Sequence, residues 1–181
     1  DDIDLGYNSW RPIGGNYYNS IAFNGTFDAQ NHKVTYVHPE VNDSPYWSMH
    51  CYGLFGSAGA KSIIRNLTVS GGVELYSQGG DVVVYAGGIA GSSSGKIENV
   101  HSNFNISASD KSNRDIPTLY AGGVCGDGNE ITLAQSSGSI EFAFANVYWR
   151  IGQQGGIGGI AGKASNVSMA CSDVDISMWA V

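Results

Sequence analysis

The sequence predicts an all-β chain wound as a right-handed parallel β-helix, a β-solenoid of about 4–5 turns with ~35-residue repeats. Three observations carry that expectation. A four-residue phrase returns at Gly53-Leu54-Phe55-Gly56, Gly88-Ile89-Ala90-Gly91, Gly123-Val124-Cys125-Gly126 and Gly159-Ile160-Ala161-Gly162, with its first glycines 35, 35 and 36 residues apart. Each phrase is followed by a stretch in which apolar and polar residues alternate. Apolar residues three apart, such as Ile97 and Val100, then demand a corner between them, because one straight strand cannot turn both toward the same face.

Taken in order, residues 1–51 read as N-terminal turns or a cap, and residues 52–181 as four repeats of a single domain. In the first repeat Leu67, Val69, Gly71, Val73 and Leu75 line one face, and Thr68, Ser70, Gly72 and Glu74 the other. The second gives Val100, Ser102, Phe104, Ile106 and Ala108 against His101, Asn103, Asn105 and Ser107. The third gives Ala134, Ser136, Gly138, Ile140 and Phe142 against Gln135, Ser137, Ser139 and Glu141. The fourth gives Ala170, Ser172, Val174, Ile176 and Met178 against Cys171, Asp173, Asp175 and Ser177. Side chains alternate across a strand, so each stretch is a half-buried strand of about nine residues. Each is preceded by an apolar anchor at Ile64, Ile97, Ile131 or Val167. One repeat thus makes one large turn of about three strands with one longer excursion. The repeat glycines Gly53, Gly56, Gly88, Gly91, Gly123, Gly126, Gly159 and Gly162 sit where a tight corner leaves no room for a Cβ. Stacked turns should bring Val73, Ile106, Ile140 and Ile176 into one column. The alternative repeat fold is a β-propeller, whose blades need about 40–45 residues in four antiparallel strands.

Composition narrows the function. Charged residues make up 14% of the chain and the formal net charge is −7, which argues against nucleic acid and anionic membrane, since phosphate binding needs clustered Lys and Arg. Low charge with abundant Ser, Asn, Gly and Tyr suits a secreted or cell-surface protein. An open solenoid end presents unpaired backbone groups, so the partners expected are caps, flanking domains or neighbouring copies.

The residues resemble a known repeat. Gly88 to Gly91 followed by Gly95-Lys96-Ile97-Glu98-Asn99 is similar to the GLUG motif of bacterial secreted and surface proteins, and Gly53 to Gly56 with Asn66 agrees. Upstream, Asp2-Ile3-Asp4-Leu5, Trp10, Pro12-Ile13-Gly14, Phe23, Gly25, Phe27-Asp28 and His32 resemble the segments that precede such repeats. Leu133 and Met169 depart from the motif where asparagine is usual, and Ala29 and Asn31 where glycine is usual. The resemblance implies a β-solenoid in adhesin-like proteins, and it brings no catalytic residues.

Reactive constellations are sparse. Gly156-Ile157-Gly158-Gly159-Ile160-Ala161 satisfies a dinucleotide fingerprint, but that fingerprint works only between a strand and a helix, and a strand follows here. His32, His38, His50 and His101 are scattered without metal-ligand spacing, so no metal or other cofactor is expected. Asp28 and His32 could form an acid–base pair, although a Gly/Asn-rich turn favours local backbone hydrogen bonds. Asp173 and Asp175 share the outer face of one strand, as paired carboxylates for sugar cleavage would, with Gln135 and Ser137 as the matching slots one turn earlier. Cys51, Cys125 and Cys171 allow one bridge at most; Cys125–Cys171 is the candidate, and small apolar fillers the preferred reading. The pairs Tyr17-Tyr18, Tyr46-Trp47 and Tyr148-Trp149 lie in irregular stretches and are the candidate partner or glycan surface. Five sequons, at Asn24, Asn42, Asn66, Asn105 and Asn166, would be glycosylation candidates in a eukaryotic source. The sequence therefore favours a non-catalytic stalk or adhesive segment. The alternatives are a filament subunit that stacks end to end and a carbohydrate-binding or polysaccharide-processing β-helix.

Overall fold

A computed structural model describes residues 1–7, 10–15, 21–42, 49–77, 83–110, 118–144 and 155–180, with backbone alone at 38–42, 76–77, 110, 144 and 179–180. Among the described residues there are thirteen strands and no helix. They are β1 (Ile3–Asp4), β2 (Thr26–Asp28), β3 (Lys33–Asn42), β4 (Met49–Tyr52), β5 (Phe55–Ala58), β6 (Ile63–Ser77) and β7 (Val83–Gly87). There follow β8 (Ala90–Asp110), β9 (Thr118–Gly122), β10 (Cys125–Phe144), β11 (Gly156–Gly158), β12 (Ala161–Ser168) and β13 (Cys171–Ala180). One sheet runs β1-β3-β6-β8-β10-β12, with β13 also on β10, β2 on β6 and β5 on β8; the other runs β11-β9-β7-β4. Every strand pairing is parallel. The chain is a parallel β-solenoid of about four turns, and the antiparallel blades of a propeller are excluded.

The expected columns are present. Val73 pairs with Ile106, Ile106 with Ile140, and Ile140 with Ile176. A second column holds Phe27, Ile64, Ile97, Ile131 and Val167, so the stacking extends into the N-terminal stretch. Ile64, Ile97, Ile106, Ile131 and Ile140 are fully buried. Burying one such side chain stabilises a fold by roughly 1.5–3 kcal/mol, so these columns are its main support.

Each glycine phrase is the corner between the two sheets. The phrases stack on each other: Phe55 N–H donates to the Ile89 carbonyl, Ile89 N–H to Val124 and Val124 N–H to Ile160, each at 2.9 Å. The first glycine marks the closest approach of two walls. A Cβ on Gly88 would strike Ser102 and Phe104, one on Gly123 would strike Ser136, and one on Gly159 would strike Ser172. This contact explains why the inward column Ser102, Ser136, Ser172 is small; within it Ser136 donates to the Gly159 carbonyl and lies 3.1 Å from the Ser172 hydroxyl. The second glycine lies against the backbone before the corner one turn earlier, Gly91 at Tyr52 N, Gly126 at Ala86 N and Gly162 at Ala121 N.

The corner expected between Ile97 and Val100 is formed by a left-handed residue at one slot in every turn. Asn31, Asn66, Asn99, Leu133 and Met169 have φ of 65°, 53°, 50°, 53° and 50°. Asparagine tolerates this region because its short carboxamide makes local hydrogen bonds. Here the amides also link the turns, Asn99 Nδ2 donating to Asn66 Oδ1 at 2.7 Å and Asn66 Nδ2 to Asp28 Oδ1 at 2.9 Å. Leu133 and Met169 keep the geometry without the hydrogen bond, and both are exposed.

One column alternates large and absent side chains. Gly71 stands between Tyr36 and Phe104, whose rings meet over it at 5.1 Å between centroids, and Gly138 packs against the Phe104 backbone on the other side. Tyr36 closes this part of the core by donating its hydroxyl to the Gly88 carbonyl at 2.8 Å.

Two stability outcomes follow from these contacts. Gly71→Ala places a Cβ on the Tyr36 carbonyl at φ +139°, a conformation that L residues rarely adopt. It should cost at least about 2 kcal/mol, read as a lowered thermal midpoint with the β signature retained in circular dichroism. Leu133→Asn should raise the midpoint by about 2–4 °C, because an exposed leucine gives up αL strain of about 1 kcal/mol; an unchanged or lower midpoint contradicts the slot assignment.

Candidate functional site

The long wall carries the broadest outward surface. Its columns read Thr68, His101, Gln135, Cys171, then Ser70, Asn103, Ser137, Asp173. Beside them run Gly72 and Asn105, followed by Ser139 and Asp175. Ser139 is tied to the preceding turn by its N–H donating to Asn105 Oδ1 at 2.9 Å. Neighbouring rungs lie about 4.8 Å apart, so three rungs of the wall present a regular array of mainly neutral polar groups and the fourth, with Asp173 and Asp175, an acidic one.

Charges on this solenoid are organised between turns. Arg65 stands between Asp28 and Glu98 at 3.0 and 3.7 Å, Lys96 meets Glu130 at 2.9 Å, and Lys163 meets Asp127 at 3.3 Å. At each of these positions the strand register places opposite signs on adjacent rungs. Asp28 is held below the usual carboxylate range, first by the Asn66 carboxamide, then by the Gln30 N–H and Arg65. It is therefore committed to the ladder and to its own turn. His32 is turned elsewhere, 3.4 Å from Asp2, so the drawn Asp28–His32 pair is not formed.

Asp173 and Asp175 do share the outer face of β13, and both are exposed. The register puts Ser137 and Ser139 opposite them, correcting the Gln135 and Ser137 slots expected; Gln135 faces Cys171 instead. The dinucleotide-like glycines occupy β11 and the corner after it and lead into β12, a strand. Of the four histidines, His50 is buried in the core wall, His32 and His101 are exposed, and the side chain of His38 lies outside the described residues. Among the described residues no three His, Cys, Asp or Glu side chains come together as metal ligands would.

The aromatic pairs Tyr17-Tyr18, Tyr46-Trp47 and Tyr148-Trp149 lie outside the described residues. A different aromatic pair was missed by sequence reasoning: Tyr85 and Tyr120 stack on the short sheet with centroids 5.2 Å apart and planes 9° apart. Lys163 Nζ lies 5.8 Å from the Tyr120 centroid, joining this stack to the Asp127–Lys163 pair. Burial, then Asp127, raises the Tyr85 phenol. The signal was present, since each tyrosine precedes the first glycine of its phrase by three residues. Near the same corner a shallow hollow is lined by Ser92, Ser94, Asp127, Asn129 and Ser165. Asp127 is already paired with Lys163, and Asn129 Nδ2 donates to the Ser94 carbonyl at 3.1 Å.

Of the sequons, Asn105 and Asn166 are exposed on strands, and Asn24 is exposed with its amide donating to the Ala22 carbonyl. The Asn66 amide is used in the asparagine ladder, and the side chain of Asn42 lies outside the described residues. The cysteines are all free. Cys125 fills the Phe55 and Ala90 column as expected and Cys171 faces out, which is why the Cys125–Cys171 bridge does not form. Desolvation pushes the Cys51 thiol up to about 12 and Cys125 higher still.

A thiol reagent at neutral pH should therefore label one cysteine in the folded protein and three in denaturant, and Cys171→Ser should abolish the native reaction. Labelling of Cys125 under native conditions contradicts its place in the core. The chain matches no family model, no curated protein and no solved structure.

Proposed function

We propose that the chain is a non-catalytic structural and adhesive segment of a secreted or cell-surface protein, a member of the GLUG-like repeats. The observation that supports this reading is the long wall, where mainly neutral polar side chains (Thr68 and Ser70, Asn103 and Asn105, Gln135, Ser137 and Ser139) hold register over three rungs before Asp173 and Asp175. Such an array offers many equivalent weak contacts along a line, and multivalent contact suits adhesion better than turnover. The charged side chains described above are largely spent between rungs, holding the rod together. Low overall charge and the glycine phrases beginning at Gly53, Gly88, Gly123 and Gly159 agree with the repeat resemblance.

The test is binding of the purified protein to immobilised glycans and extracellular matrix proteins. Replacing the exposed Asn103 and Gln135 together by Ala should reduce retention about tenfold while leaving the thermal midpoint within about 2 °C, because exposed polar positions contribute little to stability and no like charges are stacked by the change. Retention unchanged by that double variant removes the long wall from the function. Polysaccharide cleavage that disappears in Asp173→Asn or Asp175→Asn would replace the whole reading with catalysis.

A further inference from the structure

The short sheet stacks two phenols. One of its columns reads Cys51, Tyr85, Tyr120 and Gly156, a residue from each of β4, β7, β9 and β11. The tyrosine rings lie 5.2 Å apart between centroids and 9° from parallel. Their strands run parallel and in register, so both side chains leave the sheet from the same face and in the same direction. On either side the column offers a thiol or no side chain, and each ring has the other as its ring neighbour there. Both tyrosines are partly exposed. Tyr36 and Tyr52, in contrast, are sealed in the core, and Tyr7 is 83% exposed. Among the described residues, Tyr85 and Tyr120 are the two phenols that combine solvent access with a second phenol in stacking range.

We propose that Tyr85 and Tyr120 are a site of oxidative cross-linking, where a one-electron oxidant, a haem peroxidase with hydrogen peroxide, joins the two rings and staples β7 to β9. Each phenol gives up one electron and its hydroxyl proton, leaving a phenoxyl radical whose spin reaches the ring carbons beside the oxygen. The radicals join by one carbon–carbon bond between those positions. Each ring regains aromaticity as the hydrogen on its coupled carbon passes to the phenol oxygen. Two tyrosines and one hydrogen peroxide thus give one biaryl and two waters.

The coil supplies the proximity that this coupling needs, because the rings are held at rung spacing before any oxidant arrives. Bond formation requires the rings to turn edge to edge, and the terminal torsion of a tyrosine is broad enough to allow it. Cys51 stands next in the column, but burial pushes its thiol up to about 12. It therefore stays protonated, without the thiolate through which cysteine is readily oxidised. The cysteines are free, so no disulfide holds the turns together. A bond between Tyr85 and Tyr120, 35 positions apart, would constrain the unfolded chain as a disulfide of that span does.

The test uses the whole chain carrying Cys171→Ser, which removes the exposed thiol. Dilute protein is treated with a haem peroxidase and equimolar hydrogen peroxide. Dityrosine fluorescence should appear in the monomer, and peptide mass spectrometry should find Tyr85 joined to Tyr120 with the loss of two hydrogens. Tyr85→Phe and Tyr120→Phe keep the ring and remove the phenol, and each should lower that monomer fluorescence at least about tenfold. Treatment should raise the thermal midpoint at least about 5 °C more than it does in Tyr120→Phe. That variant also controls for oxidation of the exposed Met169 and Met178. Fluorescence that survives both phenylalanine variants, a cross-link found only between separate molecules, or a thioether between Tyr85 and Cys51 overturns the assignment. A linked protein with no gain in midpoint overturns the staple. Both phenols lie off the long wall, so the Asn103 and Gln135 variant should cross-link in full whether or not that wall adheres to anything.

Discussion

Parallel stacking at one strand spacing governs this molecule. Each side chain meets the residue in its own slot one turn away, so a position is selected by its column more than by its neighbours in sequence. An inward column must be fillable at about 4.8 Å intervals, and an outward one must not set like charges against each other. Both demands are met. Isoleucine repeats down the Ile64 and Ile106 columns, where branched side chains nest at that spacing. Tyr36 and Phe104 lean together at 36° across the empty slot of Gly71, and Gly71 and Gly138 provide the gaps that let these two rings share one column.

Corners are under the same control. A residue with φ near 50° is uncommon outside glycine and asparagine, yet Leu133 and Met169 adopt it because the rungs around them fix where the chain must turn. Stacking thus overrides local preference where the two conflict. The asparagine turns gain an amide ladder through Asp28, Asn66 and Asn99, and that ladder stops where the asparagines stop. Sequence variation at this slot changes the linkage between turns without changing the path of the backbone.

This explains what the sequence could reveal. The Val73 column and the glycine corners were legible because period-2 alternation and a fixed repeat length both act within one turn of chain. The Asp28–Arg65–Glu98 ladder was not, since its members are 37 and 33 residues apart and only the register unites them. Tyr36 and Phe104 were harder still, because their contact skips a whole turn over an empty slot. Tyr85 and Tyr120 occupy a repeated slot on the shorter sheet, where no long alternation draws notice. Candidate sites fared worse than columns. Asp28 and His32 are close in sequence, but each is claimed by a different neighbour, and proximity along the chain says little about pairing in a coil.

Two inward columns also change along the axis. The corner column runs Phe55, Ala90, Cys125, Ala161, and the wall beside it runs Tyr52, Ala86, Ala121 before Ile157. In these two columns the large rings lie in the N-terminal turns, where Phe23, Phe27 and Trp10 pack beside them, and small residues follow, while Phe104 and Phe142 fill the opposite wall further along. In a stacked array each turn draws its stability from its own contacts and from its two neighbours. The N-terminal turns combine Phe55 with Trp10, Phe23 and Phe27 packed against it, whereas among the described strands β12 and β13 pair with β10 and carry more exposed inward side chains. Among the described turns, the packing around Phe55 should therefore be the last to open, and the β12–β13 turn the first. The stacked array thus distributes its stability by column contents, and aromatic burial concentrates it around Phe55.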